Sequence, residues 1–376
     1  MLKTAFRFIR YDKSKSIGVI IGIVISTFLI GQQVGIATFL MGLMSTLIDN
    51  SNGDIWVVDA KTKDVNSLGK FDVRIVRQLR SIRGVASAYG MVLTNGSAVF
   101  PNGKSVPVTL IGSEAPAFAA GPRPDKIRQG SIASLESEAA VTADFYDASV
   151  YDLIPEVGLQ FEINGKRAVI GAQTDNLRGF GGNTMYTTLE RARYFGNGND
   201  TEISAVIVRV VPGFSPARVR DDINRHIFGI RAWVRQDLSK STVNYVLGST
   251  GIGVSTGTLI VFAVIAGFFI IGLTMYSAAL DRIRDYGTLK AIGASNGYVR
   301  RLILAQAAIF AVTGFVIAYA LLEGFRLGSR GKGLIFHFSW QIQLGMFAVT
   351  LFIALFGAIF ALRRITRLEP AAVFRG

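Results

Sequence analysis

The 376-residue chain contains no cysteine and only two histidines. The first absence excludes a disulfide framework and thiolate metal sites. His226 and His337 are far apart and have no ligand-like spacing, so a histidine-based metal centre is not expected. There is no nucleophile elbow and no HExxH pattern. The pairs Asp221-Asp222 and Glu136/Glu138 read as solvated or helix-start charges rather than a catalytic carboxylate pair. Gly103-Lys104-Ser105 resembles the end of a phosphate-binding loop. The glycine that such a loop needs is Ala98, however, and the context is strand–turn–strand. No catalytic residue, cofactor or metal is therefore expected, and no ATPase motif is present.

Charge is also missing from long stretches. Ser16–Ile48 and Ser241–Leu280 contain no charged residue over 33 and 40 positions. Further apolar runs at 302–322 and 344–362 carry no internal ionisable group. A proton- or ion-coupled carrier or an intramembrane protease would usually need one, so both classes are disfavoured.

What is present is apolar and basic. Half the residues are hydrophobic, mean hydropathy is +0.40 and the net charge is +14. Residues 1–15, 281–301 and 363–376 together hold fourteen Lys/Arg against four acids, whereas 49–240 holds twenty-three against twenty-one. Residues 323–332 add three against one. Basic charge concentrated beside apolar runs is a membrane-topology pattern, and nucleic-acid binding is not expected.

In chain order, residues 1–15 pair Leu2, Ala5, Phe6 and Ile9 with Lys3, Arg7 and Arg10 at helical spacing, a cytoplasmic amphipathic segment. A cleaved signal peptide is disfavoured, because the apolar run after it is too long and lacks a cleavage site. As a helix, 16–48 would reach about 50 Å against a hydrocarbon core of about 30 Å. It is read as a first transmembrane helix continuing as a stalk through Gln32, Gln33 and Thr38.

Residues 49–240 form an α+β extracytoplasmic domain. Gly53–Val58 reads as a strand, Asp72–Ile82 as a helix, and Val99–Val106 as a hairpin turning at Asn102-Gly103. A second hairpin pairs Leu159–Asn164 with Arg167–Ala172 around Gly165, and Asn197–Asp200 reads as a linker. Ala205–Val211, Pro216–Ile227 and Ile230–Val234 repeat the strand–helix–strand order. Paired units at 49–115 and 196–240 with a β-rich insert at 116–195 are expected.

Residues 241–280 are read as a stalk and second span, the span itself running from near Ser255 to Leu280, because the glycines at 248–257 weaken the first part as a helix. A loop at 281–301, a third span at 302–322, an external loop at 323–343 (with His337 at the membrane interface), a fourth span at 344–362 and a tail at 363–376 complete the chain. The count of basic residues in short flanks places both termini in the cytoplasm and 49–240 outside it, the periplasm in a Gram-negative cell.

The segment Asp281–Arg301 is the strongest charged interruption in the C-terminal third. Its first part has helical periodicity through Ile283, Tyr286 or Gly287, Leu289 or Lys290, and Ile292. Gly293–Gly297 then reads as a cap and turn. A basic loop resting on lipid headgroups and a docking helix for a cytosolic partner both fit this pattern.

The run from Arg284 to Ala294 resembles the coupling segment of MacB/FtsX-like permeases of ABC transporters, and Leu368–Arg375 resembles their closing acidic-Pro-Ala signature. Gly53-Asp54-Ile55 is similar to the opening of the DevC-like branch. Asp285 stands where the family usually has glutamate, Tyr286 where it has an aliphatic residue, and Gln306 where it has glutamate. The resemblance implies four transmembrane helices, a porter/sabre-like external domain and a non-catalytic permease subunit in the inner membrane. It assigns ATPase coupling to Arg284, Asp285, Tyr286, Gly287, Leu289, Lys290, Ala291, Gly293 and Ala294. Tyr286 and Leu289 are expected as docking anchors and Lys290 as a rim charge. Implied partners are a cytosolic ABC ATPase, a second copy of the chain, and a periplasmic adaptor with an outer-membrane channel or a cell-wall hydrolase. In the last case the output is signalling rather than transport. An envelope enzyme on a membrane anchor is the remaining rival, disfavoured by the absent catalytic constellation.

Overall fold

A computed structural model describes residues 2–11, 13–330, 333–336 and 338–366. The readings at His337 and Leu368–Arg375 lie outside the described residues. In chain order the elements begin with α1 (Leu2–Tyr11), α2 (Lys13–Asp49), β1 (Ile55–Asp59), β2 (Phe71–Asp72), α3 (Ile75–Arg80), β3 (Val85–Val99) and β4 (Ser105–Ser113). Next come β5 (Ile127–Gly130), β6 (Ala140–Asp144), α4 (Ala148–Tyr151), β7 (Gln160–Ile163), β8 (Lys166–Thr174) and β9 (Asn183–Thr188). They are followed by α5 (Leu189–Gly196), β10 (Glu202–Ile203), β11 (Ala205–Val210), α6 (Pro216–His226) and β12 (Ile230–Val234). The chain then runs through α7 (Arg235–Ser249), α8 (Ile252–Asp281), α9 (Ile283–Ala291), α10 (Asn296–Arg330) and α11 (Trp340–Thr366).

The chain divides into two compact units: Met1–Phe39 with Val254–Arg330 and Leu334–Gly376, and Leu40–Gly253 with Gly331–Gly333. The first is helical. Among the described residues, four helices are long and apolar enough to cross a membrane, at Ser16–Asp49, Ile252–Ala278, Asn296–Arg330 and Trp340–Ile359. Bare backbone lets these helices approach closely. A Cβ on Gly357 would lie 2.8 Å from Gly272 Cα, and one on Gly314 would lie 2.4 Å from Ile23. Thr27 and Thr350 share a buried hydroxyl hydrogen bond of 3.1 Å between α2 and α11.

Two helices outrun the sequence expectation. At 37 residues, α2 is about 55 Å long, well beyond a bilayer's hydrocarbon core. At 35 residues, α10 continues past 322 into the expected loop, where Arg326 Nε sits 2.7 Å from Glu323 Oε2 one turn earlier. That (i, i+3) pair lets the charges of 323–330 sit on a helix.

The second unit is built on a ten-stranded sheet with the path β12-β1-β11-β3-β7-β8-β5. Its first part is a split β-α-β pair. β11 lies between β1 and β3, with Ile55 opposite Val208 and Ala205 opposite Met91. β12 covers the far side of β1, Ile55 opposite Val234. Alternation along β1 decides its faces. Ile55 and Val57 pack with Val76 and Leu79 of α3 and with Val219 and Ile223 of α6. Trp56 and Val58 face the other way, among Leu47, Ile48, Ile207 and Leu238. The two strand–helix–strand units expected from sequence are thus interleaved in one sheet.

The 15-residue β3 carries the sheet into the insert. Its second half pairs with β4 from Met91↔Ser113 to Val99↔Ser105, around the turn holding Gly103 at φ +80. β4 pairs in parallel with β9, and β6 in parallel with β8. Phe100, Tyr151, Phe161, Met185 and Phe195 fill the core of this part. The helix expected at 72–82 is shorter because Phe71 and Asp72 are drawn into a two-strand pairing with Ile203 and Glu202.

Candidate coupling site

α8 ends at Asp281 and α9 begins at Ile283, so one non-helical residue, Arg282 at φ −98 and ψ 16, separates them. The far end of α9 is closed by a glycine cap. Gly293 stands at φ +98, its N–H donates to Lys290 O at 3.1 Å, and Ala294 N–H donates to Leu289 O at 2.9 Å. Ser295 then caps α10, its hydroxyl accepting from Tyr298 N–H at 3.2 Å.

The apolar side of α9 is covered by the chain itself. Tyr286 is 1 % exposed and packs in one core with Ala5 of α1 and Val299, Leu302 and Ile303 of α10. Its hydroxyl donates to Gln306 Oε1 at 2.9 Å. Burial pushes that hydroxyl up to about 12, while the charge of Arg282 and the bond to Gln306 work the other way, so it remains a donor at neutral pH. Tyr286, expected from sequence as a docking anchor, is therefore buried within the chain rather than presented on its surface. The ring is large enough to reach the α1–α10 interface, and the hydroxyl finds an acceptor there. Gly287 is also buried, and Leu289 and Ala294 are half-buried against the same core.

The open side carries other members of the predicted set. Arg284, Asp285, Ala291 and Gly293 are exposed, and Lys290 is half-exposed. Between them Ile292 is 76 % exposed, an apolar side chain at the tip of the helix. Sequence periodicity places Ile292 on the apolar side without singling it out. Its position just before the capping glycine is the available signal.

A second junction lies where the long helices enter the sheet. Ser51, two residues beyond α2, donates its hydroxyl to Ile48 O at 2.7 Å and accepts from Trp56 Nε1 at 2.9 Å. Arg235, the first residue of α7, donates its N–H to Asp54 O at 2.9 Å and a guanidinium N–H to Ser51 O at 3.3 Å. The end of α2 and the start of α7 are thus fastened to one point, beside paired strands β1 and β12. The side-chain bonds among these are buried or half-buried.

Elsewhere in this unit two buried carboxylates are hydrogen-bonded within the fold. Asp144 is fully buried and accepts from Leu177 N–H, Thr174 Oγ1 and Tyr146 N–H at 2.7, 3.0 and 3.1 Å. Asp147 accepts from the Tyr151 hydroxyl at 3.2 Å, and Arg178 Nε lies 3.9 Å from its carboxylate. Burial raises the Asp147 carboxyl to about 7; the Asp144 charge adds to this and Arg178 opposes it. Asp221 and Asp222 pair with Arg220 and Arg225 on the exposed side of α6, and no group of three His, Cys, Asp or Glu suited to a metal exists among the described residues.

These features define a four-span membrane protein with an α+β domain between its first two long apolar helices. Residues 257–370 match the family model described as FtsX-like permease C-terminal, a span that includes the motif at 284–294. No curated protein matches the chain. Among solved structures, the periplasmic region of MacB from Actinobacillus actinomycetemcomitans is similar at 11% identity and TM-score 0.39, over 52% of this chain and 94% of that one. The extracellular domain of the noncanonic ABC-type transporter YknZ from Gram-positive bacteria is similar at 13% identity and TM-score 0.33, over 48% of this chain and 98% of that one.

Proposed function

We propose that this chain is the non-catalytic membrane subunit of an ABC transporter of the MacB/FtsX type, driven by a separate cytosolic ATPase. The observation that carries the reading is the FtsX-like permease match over 257–370, which includes α9. The ATPase docks on the open side of α9, where Arg284, Asp285, Ala291, Ile292 and Gly293 are presented. Motion passes along α2 and through α8 and α7 to the Ser51–Asp54 junction, and so into β1 and β12. In this reading both termini are cytoplasmic, the sheet-rich unit lies outside the cytoplasmic membrane, and two copies assemble around one ATPase pair. Cargo is moved or released on the outer side, with an adaptor and outer channel where the envelope has them.

The test is affinity purification of the full chain in mild detergent, with identification of what co-purifies. A stoichiometric ABC ATPase is expected. Recovery of a cell-wall hydrolase with the ATPase would move the output from transport to signalling, and recovery of no ATPase would remove the reading.

A further inference from the structure

The coupling helix has a joint at each end: the single residue Arg282 on one side and the Gly293–Ser295 turn on the other. A nine-residue helix held only by these joints would swing when pushed. Two buried polar links cross from this segment to other helices of the same unit. Arg282 is 5 % exposed, and its guanidinium donates to Ser16 Oγ at 3.2 Å. The Ser16 hydroxyl in turn donates to Ile9 O at 2.9 Å, so the arginine reaches the α1–α2 junction. Tyr286 donates to Gln306, itself 4 % exposed, on α10. Gln306 Nε2 has no hydrogen-bond partner among the described residues, so the bond that its Oε1 accepts from Tyr286 is the side-chain bond seen for this amide.

Burying a guanidinium, a phenol and an amide in an apolar core is unfavourable unless their partners are held in place. Four apolar residues would fill the same space at lower desolvation cost. What the polar set adds is direction, because each hydrogen bond is satisfied in one relative placement of the helices. We propose that Arg282–Ser16 and Tyr286–Gln306 form a clamp that makes α1, α9 and the cytoplasmic end of α10 one rigid block. A push on α9 then moves α2 and α10 together instead of being absorbed at the joints. Tyr286 and Gln306 are positioning residues in this scheme, and α1 is a working part of the coupling assembly rather than a surface anchor. The proposal rests on the reading that α9 receives the ATPase.

The chain has no cysteine, so introduced pairs are the sole labelling sites. Spin labels at Arg7→Cys on α1 and Thr288→Cys on α9, both exposed positions, report the block directly in the full chain in nanodiscs. A narrow distance distribution is expected, the same without ATPase, with it, and in the vanadate-trapped complex. Tyr286→Phe keeps the ring and removes the donor, and Gln306→Leu removes the amide. Each should broaden the distribution and lower stimulation of hydrolysis about tenfold, the worth of one buried hydrogen bond with a stranded partner, while the ATPase is still retained. Gln306→Glu keeps an acceptor for the hydroxyl and should restore the narrow distribution, which a purely packing role would not do. A distance that shifts with nucleotide in the wild type, or a narrow distribution and full stimulation in both Tyr286→Phe and Gln306→Leu, would overturn the clamp. Failure of the wild type to retain an ATPase would instead remove the docking reading, and the label distances would still decide the clamp.

Discussion

Ile292 and Tyr286 make opposite predictions although they lie within two turns of each other. Ile292 is 76 % exposed at the tip of α9, whereas Tyr286 is 1 % exposed in the core beneath it. Replacing Ile292 by aspartate therefore removes little packing within the chain and should leave expression, insertion and thermal stability unchanged. If Ile292 enters a pocket on the ATPase, losing a buried aliphatic anchor costs around 2 kcal/mol, about thirtyfold in affinity. The new carboxylate adds a desolvation penalty in the same direction. Tyr286→Ala should behave differently, because emptying a packed aromatic site costs about 3–5 kcal/mol of folding stability. The assay is titration of the purified ATPase onto nanodisc-embedded chain, in parallel with thermal unfolding of each variant. Weakened binding with unchanged melting is expected for Ile292→Asp, and lowered melting for Tyr286→Ala. Ile292→Asp binding as tightly as the wild type would refute docking through this face and leave an interfacial loop resting on lipid.

Three further outcomes are expected. Single cysteines at Gln78 and Arg218, both exposed in the sheet-rich unit, should react with an impermeant maleimide in spheroplasts, and one at Thr288 should not; the reverse pattern would invert the topology. Adding four helical residues beside Thr38 in α2 would turn the C-terminal end of that helix by about 40° and displace it by about 6 Å, so hydrolysis should persist while cargo movement stops, and unimpaired movement would contradict transmission through this helix. The sheet-rich unit should also lose stability as pH rises. Between the ordinary carboxylate value of 3.8 and about 7, folded Asp147 holds a proton that the unfolded chain releases. Its stabilising effect is full below that window and lost across it, up to about 4 kcal/mol if the whole shift is realised. The full chain in detergent should melt at higher temperature at pH 5 than at pH 8, with a flatter dependence in Asp147→Asn. Equal slopes in the two proteins would assign the effect to other groups around it, such as Asp144.

The parts of the fold legible in the sequence are those governed by local rules. Uncharged runs of span length declare membrane helices, Asn102-Gly103 and Asn164-Gly165 declare hairpins, and Pro216 opens α6 at its first residue. The illegible parts depend on distant partners. Nothing local marks Phe71-Asp72 as a strand, since its pairing residues lie at 202–203. The parallel pairings of β4 with β9 and β6 with β8 join segments far apart in the chain, and periodicity within one segment cannot specify its neighbour. The same holds at α9. Helical spacing sets Ile283, Tyr286 and Leu289 apart from the charged side but wrongly groups Ile292 with them, and the glycine cap is readable. Which side a partner covers depends on α1 and α10, so an outward Tyr286 is the natural reading of the sequence, although its ring and hydroxyl are both engaged inside.

The central claim is that events at α9 reach the sheet through Ser51–Asp54 and Arg235. Amide hydrogen exchange of the full chain reconstituted with its ATPase tests it most directly, comparing nucleotide-free and vanadate-trapped states. Altered protection is expected at 281–301, the proposed docking segment, and also at 48–59 and 230–238, where α2 and α7 meet β1 and β12. A change confined to 281–301, with the sheet junction indifferent to nucleotide, would contradict the account.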